Sequence, residues 1–257
     1  MLTTTTPLLM SLAAFACIFG GTFLGIFVRN RLPDRHLSGD TKDIVRQGTT
    51  LIATLASLVL GLLIASANGK YESESSQIKQ LTANVVLLDN TLALYGPDAF
   101  PLRVLLRREI TPLTDRIWRE NRPSFGKARP FEATALGLSV YTELLKLAPK
   151  TEAERFLKAR AVDTLTDVGK TRLLLFTSAG GSIPIPFLVV LVGWLALIFA
   201  SISLFAESNA RTITILCVFS FAASAAIFLI LELSQPFSGL MMISDEPLRS
   251  ALVALPQ

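Results

Sequence analysis

TTLIATLASLVLGLLIASA, residues 49–67, is nineteen residues without a charge. An α-helix needs about 20 predominantly apolar residues to cross ~30 Å of hydrocarbon. Three more runs match it in length and character: residues 8–28, 185–206 and 212–233. The only charge inside any of them is Glu232, at the very end of the fourth. Buried helices of soluble proteins seldom run so long without a charged residue. The sequence therefore reads as an all-α, multi-pass membrane protein with four transmembrane helices, two on either side of a polar middle. Its parts are a first helix pair within residues 1–67, a helical extramembrane domain over 68–184, a second helix pair over 185–233 and a tail over 234–257.

Composition agrees with that reading. Of 257 residues, 51% are hydrophobic and 17% charged, with a formal net charge of +4. Residues 68–184 hold 17 Lys/Arg against 13 Asp/Glu, so the excess sits in the middle region. A mild positive field fits anionic lipid headgroups or small anions. It is too weak to argue for nucleic acid, and no nucleic-acid motif accompanies it. Cys17 and Cys217 both fall inside apolar runs and read as small packing residues. His36 is the only histidine, which excludes a site needing two. No Lys or Arg precedes the first apolar run, so it is expected to be a retained helix and not a cleaved leader.

The second helix is expected to start near Thr41, with Asp40 as its N-cap. Past Asn68-Gly69 an apolar stripe continues at Ile78, Leu81, Val85, Leu88 and Leu92, and Gly96-Pro97 closes it. Further helices are predicted over residues 98–118, apolar at Leu102, Leu106, Ile110, Leu113 and Ile117 and kinked at Pro112, over 131–148 and over 151–177. Thr151 and Glu154 stand in capping-box spacing at the last of these. Residues 121–130 read as a surface loop, and the sequence from Ser244 through Pro247-Leu248 as the start of a short helix. Basic residues near the helix ends are about equal on the two sides, so charge does not decide orientation.

No phosphate loop, nucleophile elbow, Cys-x-x-Cys or histidine metal pair is present, so no catalytic residue and no enzyme is expected. On the second helix Thr54, Leu58 and Leu62 recur every four residues, beside a stripe of small residues at Ser57, Gly61 and Ala65. Small residues let helices approach closely in lipid. The pattern fits either a packed helical seam or a hydrophobic constriction, one set of side chains per subunit.

Leu58-Val-Leu-Gly-Leu-Leu63 followed by Lys70-Tyr71-Glu72 resembles the second transmembrane helix of bestrophins, with Gly61 at the centre of its apolar neck. Glu232, Pro236-Phe237 and Pro247-Leu248 are similar to the acidic-x-x-Pro-Phe…Pro-Leu ending of bacterial bestrophins. His36-Leu-Ser-Gly-Asp40, Leu87-Leu-Asp89 with Tyr95-Gly96, and Pro236-Phe-Ser-Gly-Leu240 extend the resemblance to the bestrophin-like family over nearly the whole chain. The resemblance implies a pentameric homo-oligomer with one central anion-conducting pore in a bacterial inner membrane, whose neck falls on Thr54, Leu58 and Leu62. It implies cytoplasmic termini and a cytoplasmic helical domain. Of the family's acidic calcium cluster only Asp245 and Glu246 are present, so neither a metal nor another cofactor is expected. The alternative is a non-conducting membrane scaffold or sensor, whose 78–92 stripe would bind a partner. A transporter finds little support, since inverted repeats are not evident.

Overall fold

The computed structural model describes residues 5–31, 39–120, 135–178, 185–206 and 209–251. Among them every regular element is helical. In chain order these are α1 (Thr5–Arg31), α2 (Gly39–Tyr95), a 3-10 turn (Pro97–Ala99), α3 (Phe100–Glu120), α4 (Ala135–Lys146), α5 (Glu152–Ser178), α6 (Ile185–Phe205), α7 (Ala210–Leu233) and α8 (Glu246–Ser250). The helices α1, α2, α6 and α7 are each long and apolar enough to cross a membrane. His36 and the loop expected over 121–130 lie outside the described residues.

The chain forms two compact units, Met1–Tyr71 with Ser182–Ser234, and Glu72–Gly181 with Gln235–Gln257. In the first, α1 packs against α6 and α7. Its core holds Ile18 of α1, Leu191 and Phe199 of α6, and Leu216, Ile227 and Ile230 of α7. Two glycines set how closely α1 meets α6. A Cβ on Gly21 would overlap the Ala196 carbonyl, and one on Gly25 the Ala200 carbonyl and the Ser203 hydroxyl. Such small-residue contacts replace the hydrophobic effect, which gives helices in lipid no reason to associate. Hydrogen bonds reinforce the packing: Ser224 donates to the Ser11 carbonyl, and the Arg29 guanidinium to the Ala206 carbonyl at the end of α6. Outward, α1, α6 and α7 expose Leu24, Phe27, Phe187, Val189, Phe219 and Phe221. Apolar area left in water costs about 25 cal/mol per Å², and a hydrocarbon surround removes that cost.

In the second unit the stripe Ile78, Leu81, Val85, Leu88 and Leu92 is buried, and so are Leu102, Leu106 and Ile117 of α3 and Leu144 of α4. Gly96 ends α2 at φ 113°, a left-handed conformation that glycine adopts without strain. The helix expected from residue 98 is preceded by the 3-10 turn and runs through Pro112 to Glu120. Its inner stripe turns slightly from the expected one. Thr114 is buried where Leu113 was expected, and its hydroxyl donates to the Ile110 carbonyl at 2.8 Å.

The fourth predicted extramembrane helix starts as its spacing requires: Glu154 N–H donates to Thr151 Oγ1 at 3.1 Å, and the Glu154 carboxylate accepts from Lys150 N–H at 2.6 Å. Lys158 of α5 donates to the Leu145 and Leu147 carbonyls, closing the end of α4.

Candidate functional site

Helix α2 is 57 residues long, about 86 Å at 1.5 Å per residue, far more than hydrocarbon requires. Within its apolar run one side is packed and the other is not. Ala56, Leu63 and Ala67 are buried, and Ile52, Val59, Leu60 and Ile64 pack half-buried beside them. On the other side Thr54 is exposed, and Leu58 and Leu62 are 70% and 64% exposed. The sequence grouped these three at i, i+4 and i+8, and the helix places them on one face. Thr54 Oγ1 donates to the Thr50 carbonyl at 2.9 Å and Ser57 Oγ to the Ala53 carbonyl at 2.8 Å. The hydroxyls are thereby satisfied within the helix, and the face behaves as apolar. Gly61 lies on this side, with open space where a Cβ would stand. Farther along α2 the exposed positions include the small residues Ala65, Gly69, Ser76 and Ala83 together with Glu72, Gln80 and Leu87.

The other motif residues lie elsewhere. Asp40 falls in the first turn of α2, which begins at Gly39. Tyr71 packs against the core of the first unit, while Glu72 is exposed. Glu232 is buried in the last turn of α7. Pro236 and Phe237 belong to a compact turn in the second unit. There the Pro236 carbonyl accepts from Ile243 N–H at 2.8 Å, and Phe237 meets Trp118 edge-on with centroids 5.6 Å apart. Trp118 Nε1 donates to the Ile243 carbonyl at 3.2 Å. Arg249 pairs with Asp245 at 2.7 Å and with Asp115. The hydrogen bond to Asp245, then that to Asp115, holds the guanidinium more firmly protonated than usual.

Two ion-pair clusters in the second unit were not singled out from the sequence. Asp89 is 0% exposed and accepts from Arg103 through both carboxylate oxygens, at 3.1 and 2.9 Å, and from Arg107 at 3.3 Å. Burial pushes its carboxyl up, but the hydrogen bonds and charges of the two guanidiniums outweigh this and hold it below the usual carboxylate range. Glu120 joins Arg172 at 3.0 Å and Arg116 at 3.1 Å. The sequence offers Asp89 only as part of the Leu87-Leu-Asp89 motif; Arg103 and Arg107, 14 and 18 residues on and past Gly96-Pro97, were the available signal for its pairing.

The bestrophin-like domain family matches residues 16–248 of this chain. The chain belongs to the bestrophin-like family. No curated protein and no solved structure matches it. The match takes in the α2 face, the Glu232 turn and the Pro236-Phe237 segment, so the bestrophin-like motifs lie within one family domain. With its four apolar helices, this bestrophin-like chain is a membrane protein.

Proposed function

We propose that this protein is an oligomeric, anion-conducting channel whose neck is formed by Thr54, Leu58 and Leu62 of α2. The observation that carries the reading is the exposed leucine face of α2 in a bestrophin-like membrane protein. Several copies of that face around an axis make a narrow apolar ring. Such a ring closes by dewetting and opens when a small change lets water enter. Just beyond Leu62 the exposed side of α2 carries Ala65 and Gly69, where a lumen bounded by these helices would widen, and polar residues such as Glu72, Ser76 and Gln80 follow. The mildly basic middle region favours anions. Five subunits, a bacterial inner membrane and a cytoplasmic helical domain complete the proposal by family resemblance.

The scaffold reading would have used the 78–92 stripe as its partner surface. That stripe is buried within the chain, which favours the channel. The test is ion flux through purified protein in liposomes, chloride against potassium, with Leu58→Ala beside wild type. Anion-selective flux raised by the substitution is expected. No flux from either protein, both folded and inserted, would overturn the channel. Equal flux from the two would remove Leu58 from the pore.

A further inference from the structure

The turn that follows α7 carries an apolar tip, and we propose that Leu240, Met241 and Met242 anchor the protein in the lipid interface. The base of the turn is firmly held. Phe237 and Ile243 are buried, Ile243 N–H closes onto the Pro236 carbonyl at 2.8 Å, and Trp118 braces both through its ring and its Nε1 hydrogen bond. Gly239, at φ 93°, lets the chain reverse. Beyond this fixed base the side chains of Leu240, Met241 and Met242 are 78%, 40% and 43% exposed. Three consecutive large apolar residues, presented by a braced turn, gain more from hydrocarbon than from water.

Chain connectivity says what covers them. At 24 residues, α7 spans about 36 Å, enough to cross the hydrocarbon with its last turn at the boundary. Pro236, where the turn closes, is three residues past Leu233. Three residues of extended chain reach at most about 11 Å. The polar layer on each side of the hydrocarbon is itself about 5–8 Å deep. Pro236 therefore lies no farther than about 11 Å along the chain from the end of α7, which keeps the headgroup layer within its reach. Residues 234–244 contain no ionisable side chain, so nothing in the turn has to shed charge to enter. The first acids, Asp245 and Glu246, come after the closing hydrogen bond, and Asp245 is neutralised by Arg249. Methionine and leucine suit such a site because flexible apolar side chains fill irregular space among lipid chains. The anchor does not depend on whether the protein conducts.

The test places a nitroxide at Leu240→Cys after Cys17 and Cys217 are replaced by serine. Reference labels go at Leu229, exposed on α7, and at Arg155, exposed on α5. The protein is reconstituted in phosphatidylcholine–phosphatidylglycerol liposomes. Relaxation by dissolved oxygen is compared with relaxation by a water-soluble nickel chelate. At residue 240 oxygen is expected to dominate, as at 229, with the ratio reversed at 155. A reversed ratio at 240 would place the tip in water and overturn the anchor. Shielding from both reagents would mean that protein covers the tip, a second copy included, and would overturn it equally.

Discussion

Asp89 is the residue whose chemistry depends most on its surroundings. Its carboxylate is fully buried, and two guanidiniums of α3 converge on it. Removing one partner of a buried pair costs about 3–5 kcal/mol. Arg103 and Arg107 keep some access to water, so Asp89→Asn is expected to cost about 2–3 kcal/mol, read as a lower unfolding midpoint in detergent. The pH dependence follows from the direction of the shift. The folded carboxyl lies below the unfolded value of about 3.9. Its contribution is therefore complete above about pH 4 and is lost as pH falls through the lowered folded value. Wild type should lose stability below pH 4 more steeply than Asp89→Asn, and parallel acid limbs would exclude this linkage. The sequence did not reveal the pair, because periodicity marks Leu88 and Leu92 as core and is silent about Asp89 between them. The partners come from α3, folded back after Gly96, and such a meeting is decided by three-dimensional packing.

At the scale of elements, α1 and α6 meet through glycine. Gly21 and Gly25 lie against the backbone of Ala196 and Ala200, where a new side chain has no room. Overpacking a well-fitted contact typically costs about 1–3 kcal/mol. Gly21→Leu should therefore lower the thermal midpoint of the detergent-solubilised protein. Gly20→Leu should leave it nearly unchanged, since open space lies where its Cβ would stand. Equal losses at the two positions would show that the close approach of Gly21 to Ala196 is not what sets the midpoint. Helix existence was legible from the sequence, because length, apolar run and caps are local properties. The 78–92 stripe, the Gly96 stop and the Thr151 capping box all appear where their spacing placed them. Which glycines press on a neighbour was not legible, since Gly20, Gly21 and Gly25 share one apolar context and differ only in what stands opposite. The α2 face belongs here too. Spacing grouped Thr54, Leu58 and Leu62 on one side, and only the fold leaves that side exposed.

For the whole molecule, the proposed channel requires that the exposed α2 faces be gathered around an axis. Native mass spectrometry of the detergent-solubilised protein should give five copies, and a monomer or dimer would overturn the pentamer. A reporter fused after Gln257 should score as cytoplasmic, and a periplasmic score would reverse the orientation. By itself the sequence determined that this is a helical membrane protein. Uncharged runs of about 20 residues have one low-energy solution in lipid, a helix that satisfies its own backbone. Sequence motifs also pointed to the bestrophin-like family. Tertiary structure alone decided which side of each helix is used up inside the chain and which is left for lipid, ions or another copy. It also decided that Asp89 meets Arg103 and Arg107, and that Trp118 braces the Pro236–Ile243 turn. Burial and charge pairing depend on what arrives from distant parts of the chain, and one-dimensional periodicity carries no record of that.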